Sequence, residues 1–243
     1  MPLRLPASRK PISTHQAIAH TLRQAIIDGR LLAGESLRQE ELARQFKVSR
    51  IPVREALRQL ESENWIVFLP NKGASVAPLS IEEASETYEI LTALECVALR
   101  LAVPRHTAAT LHKAEQMLRT VCVGREEGVK RNRAFHMALY APAGRPRLLG
   151  LIEAHRQRSQ RYLRLYFESP KYREQTDREH AAILQACKDR DTARAVSLLE
   201  KHLQQTGAML VKYFEDHVRR GRASDADDTL TALQQAVTFI PAQ

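Results

Sequence analysis

Residues 48–61 read VSRIPVREALRQLE, and this stretch decides the fold of the first third of the chain. Ser49 is a favourable helix N-cap, and Pro52 falls in the first turn, where its missing N–H costs little. The pattern therefore predicts a helix from Ser49 to about Glu63. Apolar residues recur along it at helical spacing and define one buried face: Val53, Ala56, Leu57 and Leu60.

Three arginines follow a second line along the same predicted helix. Arg50, Arg54 and Arg58 recur every four residues, roughly 110° around the helix from the apolar face at ~100° per residue. Such a helix can pack on its domain and still present guanidinium groups to a DNA groove, where the planar fork of arginine can bind guanine O6 and N7 together. The alternative is a solvated charged face with surface pairs among Arg54, Glu55 and Arg58.

The residues before this helix predict a helix-turn-helix. A first helix is predicted over residues 14–28, and Gly29 can end it. A short helix follows at Gln39–Phe46, and residues 47–48 form a tight turn before the arginine-bearing helix. Two helices joined by so short a turn are typical of this motif.

The residues after the helix predict a β-hairpin. Residues 65–69 (WIVFL) are aromatic and β-branched, residues 70–73 (PNKG) form a turn, and residues 74–77 are a return strand. A hairpin directly after a helix-turn-helix is a wing. Lys72 and Gly73 at its tip could reach phosphate or a minor groove; the alternative is an ordinary surface hairpin.

Charge and composition limit the class of protein. The chain has 243 residues, a net charge of +9 and a hydrophobic share of 44%, which excludes wholesale disorder. Residues 1–80 hold 12 Lys/Arg against 7 Asp/Glu, which is more than half of the net charge. No apolar run approaches the ~20 residues of a membrane helix. Three widely spaced cysteines argue against a disulfide scaffold or a Cys-based zinc finger. We expect a soluble cytoplasmic protein.

The segment AGESLRQEELARQFKVSRIPVREALRQLESENWIVFLPNKGASVAPLS closely resembles the winged helix-turn-helix of GntR-family transcription regulators. The resemblance spans about residues 12–80. It implies that Arg50 and Arg54 contact operator bases and phosphates, that Ser49 binds phosphate, and that Lys72 and Gly73 act from the wing. Ile51 and Asn64 stand where threonine and glycine are commoner in the family.

The rest of the chain predicts a helical bundle. Residues 80–83 (SIEE) form a capping box that opens a long helix. Six long amphipathic helices joined by short connections suggest an antiparallel arrangement. Their predicted bounds are about 80–103, 107–125, 128–140, 146–167, 172–188 and 191–218. The fold class is thus mainly α, with an N-terminal winged helix-turn-helix and a C-terminal all-helical antiparallel bundle.

Three of the nine histidines lie near apolar positions of different predicted helices. A single histidine such as His136, His180 or His202 is more often a satisfied core residue than a ligand. If the three converge inside a bundle, however, they form a facial metal site.

Residues 83–220 resemble the FCD ligand-binding domain of FadR-type GntR regulators. In metal-binding members an aspartate one turn before the first histidine joins three histidine ligands. Here that position is Asn132, four residues before His136. An amide oxygen can ligate but brings no charge, so it should weaken the site for a divalent cation. The resemblance therefore implies a zinc, nickel or manganese site formed by Asn132, His136, His180 and His202.

A second departure concerns the effector. Many FCD domains carry an arginine four residues before the glutamate of their first long helix, and that arginine often holds a carboxylate effector. Glu95 is present here, but the arginine position is Leu91. Arg158 and Arg161 are candidate replacements if their side chains face inward. Their alternative is a solvated helix face.

These features predict four segments: a basic arm at 1–11, the winged domain at 12–79, a helical effector-binding and dimerisation domain at 80–220, and a tail at 221–243. The leading hypothesis is a homodimeric DNA-binding regulator without enzymatic activity. We expect it to be a repressor that binds double-stranded operator DNA and responds to a small organic acid. A metal-dependent enzyme on the histidine-lined bundle and a sequence-neutral architectural DNA binder are the alternatives.

Overall fold

The computed structural model describes residues 13–70, 72–122, 124–166 and 170–221. The predicted basic arm at 1–11 and the tail beyond residue 221 therefore lie outside the described residues. The chain divides into two compact units, Met1–Pro78 and Leu79–Gln243. No helix in the described ranges is long and apolar enough to cross a membrane.

The first unit is a small helical domain with a three-stranded antiparallel sheet in the order β1-β3-β2. Its elements are α1 (Thr14–Ile27), β1 (Ser36–Leu37), α2 (Gln39–Phe46), α3 (Arg50–Ser62), β2 (Ile66–Leu69) and β3 (Gly73–Val76). The helices and the hairpin agree with the sequence prediction to within one or two residues. The short strand β1 was not predicted, because two residues carry no periodic signal.

The core of this unit is built around α3. The four apolar residues of its predicted face are completely buried, and α3 packs against α1, α2 and β2. The turn between α2 and α3 is tight because Lys47 adopts a left-handed conformation, with φ 54°. That geometry ends α2 at Phe46 and lets α3 begin at Arg50.

The second unit is all-helical in its described part. Its main helices are α4 (Ile81–Ala102), α5 (Ala108–Arg119), α6 (Arg125–Tyr140), α7 (Pro146–Tyr166), α8 (Pro170–Lys188) and α9 (Thr192–Gly221). The predicted extension of the second helix to residue 125 is wrong. Thr120 turns to an extended conformation at ψ 117°, and Gly124, with φ 91°, precedes α6.

The start of α4 shows how the tertiary structure modifies a local signal. The Ser80 hydroxyl accepts a hydrogen bond from the Glu83 backbone N–H at 3.1 Å, as a capping box requires. The Glu83 carboxylate, however, accepts a 2.7 Å hydrogen bond from the Tyr162 hydroxyl of α7. A side chain from another helix thus takes the place of the local partner.

Candidate functional site

The arginine-bearing side of α3 is exposed. Arg50, Arg54 and Arg58 are all exposed, whereas the opposite face of the helix is buried in the domain core. Oε2 of Glu55, on the same helix, lies 3.4 Å from Nδ1 of His15. Ile51 is 60% exposed beside Arg50 in the first turn. Basic and apolar side chains therefore project together from the N-terminal half of α3.

The start of α3 and the wing tip face one groove. Arg50, Lys72 and Gly73 line the same surface groove, together with residues of α2. Nη2 of Arg50 lies 2.9 Å from Oε1 of Glu40, and both side chains are about two-thirds exposed. Exposed pairs of this kind contribute only about 0–1 kcal/mol, so a phosphate can readily displace Glu40 from Arg50.

Ser49 occupies the N-cap position of α3. Its backbone is extended there, with φ −69° and ψ 168°, but its hydroxyl makes no capping hydrogen bond to the helix. The first N–H groups of a helix have no intrahelical partner and favour anions. The Ser49 hydroxyl and these N–H groups are therefore not engaged with each other at the start of α3.

In the second unit the three predicted histidines converge. One ligand nitrogen from each of His136, His180 and His202 lies within 4.8 Å of the others, and all three side chains are buried. The Nε2 atoms of His136 and His180 are 3.1 Å apart. Two nitrogens bound to one ion at about 2.1 Å and at a right angle lie about 3.0 Å apart, so this spacing fits a shared metal ion.

Neighbouring groups orient two of these imidazoles. Nδ1 of His202 lies 2.6 Å from Oε2 of Glu179, and Nδ1 of His136 lies 2.9 Å from the Tyr140 hydroxyl. Because that hydroxyl donates to Glu95 at 2.6 Å, its oxygen is left to accept from the His136 Nδ1–H. Both rings are therefore held with Nε2 available as a ligand. In metal sites, a hydrogen bond from the other ring nitrogen commonly fixes a histidine ligand in this way.

The electrostatic environment favours the neutral forms of His136 and His180. Burial lowers the pKa of His136 and of His180 well below the usual value, and the nearby Arg156 lowers both pKa values further. Burial raises the pKa of Glu179, but the hydrogen bonds from His202 and Gln175 outweigh it and the net pKa is lowered. Neutral imidazole is the form that binds metal, and an ionised carboxylate is the form that supports it.

Asn132 fits a fourth ligand position. It lies one turn before His136 on α6 and is 8% exposed. Its Oδ1 atom is buried and has no hydrogen-bond partner among the described residues. A buried polar atom without a partner indicates a missing ligand or water. The residues present therefore fit a divalent metal held by three imidazoles and one amide oxygen.

A buried ion pair adjoins the triad. Arg156 of α7 donates to Oε2 of Glu95, the same oxygen that accepts from Tyr140. Burial lowers the pKa of Arg156, but the Glu95 carboxylate outweighs it and raises the pKa overall. Oε1 of Glu95 and Nε of Arg156 have no partner among the described residues. This pair leaves polar atoms available to a bound molecule or to water.

The candidate effector arginines occupy different environments. Arg161 is buried, and burial lowers its pKa, whereas Arg158 is only half-buried. The sequence analysis missed Arg156, which turns out to be the partner of Glu95. The signal was weak: Arg156 is one of several arginines on a helix whose inward face could not be identified from spacing alone. Tyr140 and Glu179 could have been suspected, since Tyr140 is one turn after His136 and Glu179 directly precedes His180.

Comparisons with known proteins agree with this two-part organisation. The family model described as "Bacterial regulatory proteins, gntR family" matches residues 14–76, and the FCD domain model matches residues 86–205. The HTH-type transcriptional repressor GlaR of Escherichia coli is 30% identical over 195 residues, covering 75% of this chain and 89% of GlaR. The HTH-type transcriptional regulator McbR of Escherichia coli is 28% identical over 213 residues, covering 84% of this chain and 96% of McbR.

Solved structures show the same fold. E. coli McbR/YncC superposes with a TM-score of 0.70 and 27% sequence identity, covering 84% of this chain and 100% of that structure. A GntR family member from Pseudomonas syringae superposes with a TM-score of 0.51 and 34% identity, covering 85% and 88% of the two chains. From its winged helix-turn-helix, its histidine-bearing helical unit and these matches, we conclude that the chain belongs to the GntR family of bacterial transcription regulators and carries an FCD domain.

Proposed function

We propose that the protein is a cytoplasmic, homodimeric repressor that binds a specific operator through α3 and the wing. A small carboxylate, held in the FCD domain beside a divalent metal ion, changes its affinity for that operator. The exposed arginine side of α3 is the observation that carries the DNA-binding part of the proposal, and the converging histidines carry the effector part. The repressor role is supported by the name of the relative GlaR.

At the DNA, the exposed groups have complementary roles. Arg50 and Arg54 would bind base edges in the major groove, while Arg58 and the Ser49 hydroxyl would bind phosphates. Lys72 would reach the backbone from the wing, with Gly73, at φ 78°, shaping the turn. Ile51 offers an apolar contact to a thymine methyl group.

In the FCD domain, the ligand set is suited to zinc, nickel or manganese. His136, His180, His202 and Asn132 would hold the ion, and the bound metal would supply an electrophilic centre for a carboxylate. The unpartnered Nε of buried Arg156 makes it the best-supported cationic partner for that carboxylate, with Arg158 and Arg161 as further candidates. The effector can regulate only if it binds one domain arrangement more tightly than the other.

A selected operator tests the DNA-binding part. We would select operator sequences from a random duplex library, and measure affinity by fluorescence anisotropy over a range of salt concentrations. We expect a protected palindromic site and an affinity that falls steeply as salt rises, because phosphate contacts release counterions. A slope of log K against log salt near zero would contradict DNA binding through phosphate contacts. The absence of a footprint on every sequence would instead indicate an architectural DNA binder.

Metal analysis tests the effector part. We expect the purified chain, after dialysis against zinc, nickel or manganese, to retain stoichiometric metal. The triple variant His136→Ala, His180→Ala, His202→Ala should lose it, whereas His112→Ala, at an exposed position outside the cluster, should not. Metal retention that is indifferent to the triple variant would refute the site. Metal-dependent turnover of a candidate effector would favour the enzyme alternative.

A further inference from the structure

Helix α2 of the first unit carries cations that the DNA-contacting set described above does not include. Its packed side contains Leu42 and Ala43, which are buried in the core of the unit. Arg44 lies outside that packed side and is exposed. Lys47, the left-handed residue that follows α2, is exposed as well. The helix that precedes α3 therefore presents its own positive charge to the surface.

Two surface grooves share residues at the start of α3. One holds Arg50 together with Lys72 of the wing, and the other holds Arg50 together with Lys47 and Ser49 of the turn. The side chains that line both grooves come from the start of α3 and from α2: Glu40, Arg44 and Arg50. Arg44 thus lies where the wing side and the turn side of this surface join.

The charge of Arg44 is not matched within the described part of the chain. Oε1 of Glu40 lies 2.9 Å from Nη2 of Arg50, and Oε1 of Glu41 lies 3.6 Å from Nη1 of Arg38. The two carboxylates of α2 are therefore each paired with a different arginine. Among the described residues, the guanidinium of Arg44 takes part in no ion pair and no side-chain hydrogen bond. An anion that reaches this surface meets Arg44 without breaking an existing pair.

We propose that α2 is a second DNA-contacting element, in which Arg44 binds a backbone phosphate beside the bases contacted by α3. This proposal rests on the operator binding proposed above and adds a contact to it. The helix that precedes a recognition helix crosses the DNA backbone, and a phosphate contact positions the protein without reading sequence. Lys47 lines one of the two grooves with Arg44 and adds charge to the same surface.

Arg44→Gln tests the contact in the full-length chain. Because the side chain is exposed and unpaired, folding should be unaffected, and thermal unfolding would verify this. Anisotropy titrations on the selected operator would give the slope of log K against log salt. Each lost phosphate contact reduces that slope by about 0.9, so a dimer on two half-sites should lose about 1.8. The ratio of wild-type to variant affinity should then be about tenfold larger at about 50 mM than at about 200 mM salt.

Two further variants define the chemistry of the contact. Arg44→Lys keeps the charge without the planar fork, so it should retain the wild-type slope and most of the affinity. Arg30→Gln removes an arginine of the same unit whose side chain is 64% exposed and lines neither groove. It should leave the slope unchanged. Wild type and Arg44→Gln should discriminate equally well among single-base operator variants, since phosphate contacts carry no sequence information.

Uncharged methylphosphonate linkages, placed one at a time in the operator, would locate the phosphate. At the position that Arg44 contacts, the linkage should weaken binding of the wild type but should not weaken binding of Arg44→Gln further. Losses that simply add at every position would show that Arg44 and no single phosphate are coupled, which would overturn the contact.

The outcomes separate this proposal from operator binding itself. An unchanged slope in Arg44→Gln beside a steep slope in the wild type would overturn the contact and leave operator binding by α3 in place. A loss confined to particular base pairs would also overturn it, because Arg44 would then read bases. Salt-independent binding of the wild type to every duplex would overturn operator binding and the contact together.

Discussion

Arg54 lies in the middle of the exposed arginine row of α3, one helical turn from Arg50 and one from Arg58. Because the opposite face of the helix is fixed in the core, this guanidinium has a defined direction. We therefore expect Arg54 to be the most sequence-discriminating of the three arginines, with Arg58 acting mainly on phosphate.

The first prediction concerns Arg54→Ala. Binding to the selected operator should weaken by about 1–3 kcal/mol, with discrimination relaxed at one base position. Anisotropy titrations against a set of single-base operator variants would measure both effects. Arg119→Ala, an exposed arginine of α5, is the matched control and should leave binding unchanged. An equal loss on every sequence would make Arg54 a phosphate contact instead.

The second prediction concerns the buried pair of Glu95 and Arg156. Arg156→Met leaves the carboxylate buried without its cation, which typically costs about 3–5 kcal/mol of unfolding free energy. Adding Glu95→Gln removes the unpaired charge, and should recover a large part of that loss. Urea unfolding of the metal-free chain would measure both variants. If Arg156→Met alone is as stable as the double variant, the two residues are not energetically coupled.

At the scale of elements, the packing of α4 on α9 depends on one small residue. A Cβ atom built on Gly207 of α9 would lie 2.9 Å from the Cβ atom of Tyr88 on α4. Cβ atoms are fixed to the backbone, so neither side chain can rotate away, and the two helices would have to separate. Gly150 in α7 offers a contrast, because a Cβ atom there meets nothing within 4 Å.

The third prediction uses this pair of glycines. Gly207→Ala should lower the free energy of unfolding, since overpacking costs about 1–3 kcal/mol and exceeds the ~1 kcal/mol gained in helix propensity. Gly150→Ala should instead raise it by about 0.5–1 kcal/mol. Urea denaturation of the two variants in parallel would test this. A stabilised Gly207→Ala would mean that α4 and α9 approach less closely.

At the scale of the whole molecule, buried histidines link stability to pH. Burial lowers the pKa of His106, His136 and His180 from the usual 6.5. The unfolded chain therefore binds more protons than the folded chain as pH falls below about 6.5. The contribution of these neutral histidines to the free energy of unfolding is fully present above that pH and is lost progressively below it.

The fourth prediction follows from this linkage. The unfolding free energy of the metal-free chain should fall between about pH 7 and about pH 5, by at most ~1.4 kcal/mol per pH unit for each histidine. Urea midpoints across this range would measure the slope. His106→Asn keeps a partner for Thr110 and should make the slope shallower by one histidine's share. A slope of zero or of opposite sign would contradict the pKa directions.

Much of the fold was accessible from sequence because its signals are local. The N-cap and apolar face of α3, the turn after Phe46 and the hairpin that follows all depend on residues close along the chain. The break after Arg119 was missed, since a change at one threonine and one glycine is weak against a long periodic pattern. The two-residue strand β1 exists only because β3 is present to pair with it.

The sequence by itself determined the winged module, the helical second unit and the identity of the three histidines, because periodicity, capping and motif spacing are properties of neighbouring residues. Only the tertiary structure decided that the histidine nitrogens converge, that Arg156 is the partner of Glu95 and that the Oδ1 atom of Asn132 is buried without a partner among the described residues. These residues come from helices far apart in the chain. Their meeting depends on how whole helices pack, which no local pattern encodes.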